Sequence, residues 1–125
     1  LWREYAKSDA RWGTADTFIL AVELPTVFLA GPLCLLVIWA IVTKGQAGTR
    51  HVATIVLTTL ELIGGWYTFS PEWLTGSPFL DTSSWLFLYV YLWFFNGLWV
   101  LIPGLQLFRS CKAVVTGMNG NKKRA

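Results

Sequence analysis

Charge is what this 125-residue sequence has least of. Only 14% of its residues are Asp, Glu, Lys or Arg, against about 25% in a soluble domain. Hydrophobic residues make up 54% with glycine left uncounted, whereas a soluble domain reaches roughly 45–50% with glycine included. So short a chain cannot hide that much apolar surface behind so few charges, which excludes a water-soluble globule, a disordered chain and a nucleic-acid-binding domain. The net charge of +3 is no basic face, because Lys122, Lys123 and Arg124 crowd into the last four positions. Sulfur and imidazole are scarce too: Cys34, Cys111, His51 and Met118 are all there is. No disulfide framework and no metal-ligand spacing follow from these. The sequence offers no nucleophile–base pair and no phosphate-cradling loop, so hydrolysis, phosphoryl transfer and redox chemistry lack their usual parts. A signal peptide is not expected either, since Leu1–Asp16 is polar and of mixed charge. A chain that opens on Leu1 and holds its single methionine at Met118 is expected to be a portion of a longer product.

What the sequence does have is three long apolar runs. From Phe18 to Thr43 the one charge is Glu23, from Val52 to Pro71 it is Glu61, and from Thr82 to Phe108 there is none. About 20 helical residues cross a hydrocarbon core of roughly 30 Å, so each run is long enough to span. Three strands cannot close a barrel, and an open sheet edge in lipid leaves backbone groups unpaired. The expected fold is therefore all-α: a polytopic membrane bundle with three transmembrane helices in this chain. Lys44 and Arg50 flank the first two runs on one side, and Arg109, Lys112 and the terminal cluster follow the third. Glu72 and Asp81 lie between the second and third without any Lys or Arg. The positive-inside rule then puts residues 112–125 in the cytoplasm as a tail and residues 1–16 on the lumenal side. Trp66, Trp73 and Trp85 fall at the lumenal ends, where an aromatic belt belongs. Pro25, Pro32 and Pro103 lie inside the expected helices and predict kinks or local openings.

Few side chains in these runs can carry chemistry. Glu23 is a carboxyl about two turns into a span, where such groups are costly and are functional or paired inward. Burial would let it hold or deliver a proton at neutral pH, and Thr26 shares its helical face. A protonated Glu23 that only hydrogen-bonds a neighbouring helix is the plainer alternative. Glu61, followed by Gly64 and Gly65, reads at least as well as a packing group as a catalytic one. In the aromatic third run Asn96 is a lone amide with Trp99 three residues on. Such a pair either lines a pocket with a cation over the indole or makes an ordinary interhelical hydrogen bond. Together these features outline an intramembrane pocket for a rigid apolar molecule that passes through a positively charged state.

At this point the residues resemble a known family. Leu1-Trp2-Arg3-Glu4-Tyr5-Ala6-Lys7-Ser8-Asp9-Ala10-Arg11 resembles the segment before the third membrane helix of the emopamil-binding proteins, the sterol Δ8–Δ7 isomerases. Glu23-Leu24-Pro25-Thr26 with Gly31-Pro32-Leu33 is similar to the family's Glu-x-x-Thr element and Gly-Pro pair. Phe95-Asn96-Gly97-Leu98-Trp99 with Ile102-Pro103-Gly104 looks like its last helix. The resemblance implies that residues 1–125 are the C-terminal part of one EXPERA-type domain of about five helices. It implies an isomerase that protonates a Δ8-sterol alkene to a carbocation and removes a neighbouring ring proton, with no cofactor and no metal. Glu23 and Asn96 then correspond to catalytic groups, and Thr26, Trp99 and Tyr91 to substrate-binding ones, with Trp99 stabilising the cation. Cationic amphiphilic amines are implied as ligands beside membrane lipids, and a homodimer is a further expectation. A His and a Glu on the family's second helix complete the proton-transfer set, so the 125 residues alone are expected to be inactive. In the vertebrate pattern the position of Glu61 is a glutamine, so no role carries onto it. Lys122-Lys123-Arg124-Ala125 resembles a dilysine retrieval signal, which fits an endoplasmic reticulum membrane protein.

Two other readings compete. One is a non-catalytic sterol- or lipid-binding or transport protein of the same superfamily, using the same pocket. The other is a small structural subunit in which Glu23 and Asn96 only hold helices together.

Overall fold

The computed structural model describes residues 2–122, with side chains described through residue 119. The end of the retrieval-like tail, Lys123 and Arg124, lies outside the described residues, as does the Lys122 side chain. Helix α1 is the single turn Trp2–Tyr5, followed by a 3-10 turn at Ala10–Trp12. Helix α2 covers Thr17–Val42, helix α3 Ala47–Thr75, and helix α4 runs from Leu86 through Lys122. Among the described residues the one non-helical pairing is an isolated antiparallel bridge between Asp9 and Leu80. The all-α expectation is met, and α2, α3 and α4 are each long and apolar enough to cross a membrane.

Local chemistry sets the helix ends. The Asp16 carboxylate accepts from the backbone N–H groups of Phe18 (2.8 Å) and Ile19 (3.3 Å), satisfying two orphan donors at the start of α2. Pro25 has no N–H to give, and the five residues after it, Thr26–Ala30, widen into a π-helical turn before the α-helix resumes at Gly31. Pro32 stands in the first turn of that resumed helix, where a missing donor costs least. Helix α3 ends at Gly76, whose φ of 84° is left-handed and open to glycine without strain. Helix α4 begins with the Ser84 hydroxyl accepting from Leu86 N–H at 3.3 Å. Its first ten residues, Leu86–Phe95, are π-helical, and Asn96–Lys122 is α-helical, continuous through Pro103.

Helix α3 is the centre of the packing, with α2 on one flank and the α-helical part of α4 on another. The contacts with α2 are close because the residues are small. Ala30, Ala40 and Ala53 are buried, and Val22 reaches Gly64, where an added Cβ would sit 3.7 Å from Val22 Cγ1. A hydrogen bond of 3.3 Å between His51 Nδ1 and Ser110 Oγ joins α3 to α4 at the other end. Large apolar side chains mostly point outward: Trp39 is 58% exposed, Phe28 70% and Phe108 67%. In water such a surface is untenable, whereas lipid or further apolar helices satisfy it, and among the described helices close packing of small residues provides the contacts.

Candidate functional site

The site is built at the end of the molecule where residues 2–16 meet the loop after α3. Ala10 N–H donates to Phe79 O (3.0 Å) and Asp81 N–H to Ser8 O (2.9 Å), so the opening segment lies against residues 79–81. Beneath this pairing Arg11 is 3% exposed, Asp9 0% and Glu72 2%. Arg11 Nε and Nη2 donate to the two Asp9 oxygens at 2.9 and 2.7 Å, a bidentate fork. Its Nη1 donates to Thr68 O at 2.8 Å and lies 3.5 Å from Glu72 Oε1. Burial works against the Arg11 charge, but the Asp9 hydrogen bonds and the charges of Asp9 and Glu72 outweigh it and raise its pKa. Glu72 is held in turn by Phe79 N–H, which donates to its Oε2 at 3.1 Å. This buried ion cluster was not expected from the sequence. Read linearly, Asp9 and Arg11 belong to a polar mixed-charge stretch and Glu72 to a loop flank, and nothing local in one sequence pairs residues more than fifty positions apart.

The same segment reaches α4. Asn96 Nδ2 lies 2.7 Å from Leu92 O, 3.1 Å from Tyr91 O and 3.0 Å from Tyr5 Oη. Carbonyls only accept, so the atom facing them is the amide nitrogen, whose two N–H groups are shared among the two carbonyls and Tyr5 Oη. The backbone N–H of Asn96 goes to Trp93 O at the change from π- to α-helix. Its side chain therefore takes up the carbonyls of residues 91 and 92, and the Asn96 Oδ1 and the Tyr5 O–H are left over for another partner. Tyr5 is fixed by aromatic neighbours: Trp2 and Trp12 stack at 5.0 Å, and each meets the Tyr5 ring edge-on. Burial raises the pKa of the Tyr5 phenol above its ordinary value, with the Asn96 contact pulling the other way.

One turn along α4 from Asn96, Trp99 stands in an open pocket of about 320 Å³ lined by Glu61, Phe95, Leu98, Trp99, Ile102 and Pro103. That volume is at the lower end of small-molecule sites. The structure thus places the expected residues in three locations. Trp99 is in the cavity, and the carboxyl that shares it is Glu61. Asn96 and Tyr91 lie in the knot around Tyr5, where Tyr91 contributes its backbone carbonyl and stacks its half-buried ring on Phe87 at 5.8 Å. Glu23 and Thr26 stand on the exposed face of α2, where Thr26 Oγ1 donates to Val22 O at 3.0 Å, and neither lines the cavity. Val22 explains this geometry: it points at Gly64, and the next residue along a helix points about 100° away. Among the described residues no cluster of three His, Cys, Asp or Glu side chains is placed to hold a metal ion.

Three helices long and apolar enough to cross a membrane, an open pocket between α3 and α4 and a polar clasp at one end are the features of a helical membrane protein. The sequence model of the EXPERA family (EXPanded EBP superfamily) matches residues 1–110, and the chain belongs to that family. It is 34% identical over 120 residues to a 3-beta-hydroxysteroid-Delta(8),Delta(7)-isomerase of Cavia porcellus, covering 95% of this chain and 51% of that protein. It is 32% identical over 114 residues to a probable isomerase of the same name from Arabidopsis thaliana, covering 91% and 49%. Another relative, a protoglabretal synthase of Citrus sinensis, is 30% identical over 105 residues, covering 84% and 48%. The chain spans about half the length of the curated relatives it matches.

Proposed function

We propose that this chain is the C-terminal half of a sterol Δ8–Δ7 isomerase of the endoplasmic reticulum membrane, with its C-terminus in the cytoplasm. The observation that carries the reading is the co-occurrence of relatives named for this reaction with Glu23, Asn96 and Trp99 in the family's motifs. In the reaction a proton adds to one carbon of the Δ8 alkene and leaves a carbocation at the other. A neighbouring ring carbon then loses its proton to a base, and the C–H electron pair becomes the Δ7 bond. Protons gained and lost balance, and no electron acceptor is required. Glu23 is the proton-transfer group contributed by this chain. A charged or polar carboxyl turned outward from a span is costly in lipid, which favours a face covered by sterol and by the helices that carry the family's His and Glu. Trp99 supplies an indole for the cationic intermediate. Asn96, held by Tyr5, presents its free carbonyl oxygen as an acceptor.

The test is complementation of isomerase-deficient yeast by the full-length protein, wild type against Glu23→Gln, with sterols read by mass spectrometry. Δ7-sterol from wild type and a fall of about 10²–10⁴-fold in the variant at equal folded expression is the expected result. If neither makes it, a sterol-binding or transport role takes over. If both do, the reaction stands and Glu23 is not its proton donor. Because relatives carry product names other than isomerase, the analysis should include other polycyclic products.

A further inference from the structure

We propose that the seam between α3 and α4, at the end opposite the clasp, binds the headgroup of an anionic phospholipid, with Arg50 and Arg109 clamping its phosphate. This end lies about three helical turns along α4 from Trp99, and lipid binding there does not depend on isomerisation. The two helices run antiparallel, since His51 near the start of α3 meets Ser110 near the end of α4, while Glu61 shares a pocket with Trp99 and Ile102. Arg50 and Arg109 each precede one of the facing residues by one position. A helix turns by about 100° per residue. In an antiparallel pair the two turns have opposite sense across the seam, so they carry both arginines to the same flank. Arg50 is half-buried and Arg109 exposed, and among the described residues neither side chain has a hydrogen bond or an ion pair. By contrast, Arg11 and Lys7 at the other end hold Asp9 and Glu4. Lys44 and Lys112 add two more cations beside the seam, and no Asp or Glu lies between Glu23 and Glu61 or after Asp81. Two guanidinium forks with no carboxylate to occupy them match a phosphate. Leu105 and Phe108 set the rest of the ligand. With Arg109 and Lys112 they stand at i, i+3, i+4 and i+7 on one face of α4, and both are exposed. A molecule that meets the cations with phosphate and this apolar face with hydrocarbon is a phospholipid. The uncompensated positive charge selects a headgroup of net negative charge.

The experiment releases the full-length protein from nanodiscs of phosphatidylinositol and phosphatidylcholine with matched acyl chains and counts the retained lipid by native mass spectrometry. Wild type should retain phosphatidylinositol at about tenfold over its share of the disc. Replacing both arginines, Arg50→Gln with Arg109→Gln, should bring that enrichment to within about twofold of parity, with phosphatidylcholine retention unchanged. Arg109→Gln alone, at an exposed position, should lower it about threefold. Arg3→Gln, at an exposed position of the other end, should leave it as it is. Parity in wild type overturns the proposal without any variant having to fold. Undiminished enrichment in Arg109→Gln and in the double variant overturns it as well. An equal fall in Arg3→Gln also overturns it, by making net charge rather than the seam the cause. Glycerophosphoinositol, the headgroup without its chains, should displace the lipid only weakly. Displacement at concentrations equal to those of the lipid would assign the seam to a soluble phosphate compound and overturn the lipid assignment.

Discussion

Arg11 holds three groups at once, two Asp9 oxygens and the Thr68 carbonyl, with Glu72 close by. Removing one member of a buried ion cluster strands the rest, at a cost of about 3–5 kcal/mol. Arg11→Met is therefore expected to lower thermal stability in detergent sharply, and a melting curve within experimental error of wild type would rule the cluster out as a structural latch. Tyr5 gives a pH prediction. Burial lifts its folded-state pKa above the ordinary 10.0, so the unfolded chain releases that proton first. Its contribution to stability is fully present below about pH 10 and is lost as pH rises through the folded value. Alkaline titration followed by tyrosine absorbance should show a late-ionising component that Tyr5→Phe removes. At Trp99, replacement by Ala should weaken binding of a hydrophobic tertiary amine by about 0.5–2 kcal/mol if a cation sits over the ring, measured by direct titration of wild type and variant. At this scale legibility was uneven. Asn96 and Trp99 stand out in sequence because a lone amide and its i+3 indole interrupt an apolar aromatic run. Arg11 and Tyr5 do not, because their meaning lies in partners on other helices, and Glu61 is invisible as a cavity wall until α4 is seen packed beside it.

Among the elements, the spans were readable from hydropathy, but their ends were not. The apolar run Val52–Pro71 lies within a helix that extends from Ala47 to Thr75, because hydrogen bonding carries a helix past the hydrocarbon edge into polar flanks. The third run begins at Thr82, whereas the helix starts at Leu86 once the Ser84 cap is in place. Proline was informative at Pro25, where a π turn follows, and uninformative at Pro103, where the helix runs on. The π-helical stretch Leu86–Phe95 has no counterpart in the sequence reading, since an aromatic run carries no periodicity that separates i−5 from i−4 bonding. The contact of α2 with α3 gives an element-scale test. A Cβ at Gly64 would meet Val22 at an ordinary distance, so Gly64→Ala should stabilise by about 0.4–1 kcal/mol through reduced chain entropy. Gly64→Leu should destabilise by about 1–3 kcal/mol by forcing α2 away. Thermal melts of both variants check the pair, and a Leu variant as stable as wild type would show that the two helices do not pack at that register.

For the whole molecule, the basic flanks predict that Cys111, exposed beside Arg109 and Lys112, lies near the cytoplasmic interface. A membrane-impermeant maleimide should label it from the cytoplasmic side of sealed microsomes and should spare Cys34, half-buried within α2. Labelling only after the vesicles are opened would invert the topology.

The clasp also bears on how the chain is made. Tyr5 and Asn96 are 91 positions apart, and Arg11 bonds a carbonyl 57 positions downstream. Synthesis proceeds from the N-terminus, so Arg11 and Asp9 leave the ribosome long before Glu72 exists, and Tyr5 waits until the third span has been translated. The opening segment therefore stays wet and undocked while α2 and α3 enter the bilayer. The Arg11 latch can form once residues 68–81 have been made, whereas Tyr5 meets Asn96 only after α4 arrives, so a ribosome stalled before residue 96 leaves a half-latched intermediate whose Tyr5 hydroxyl has no amide to meet.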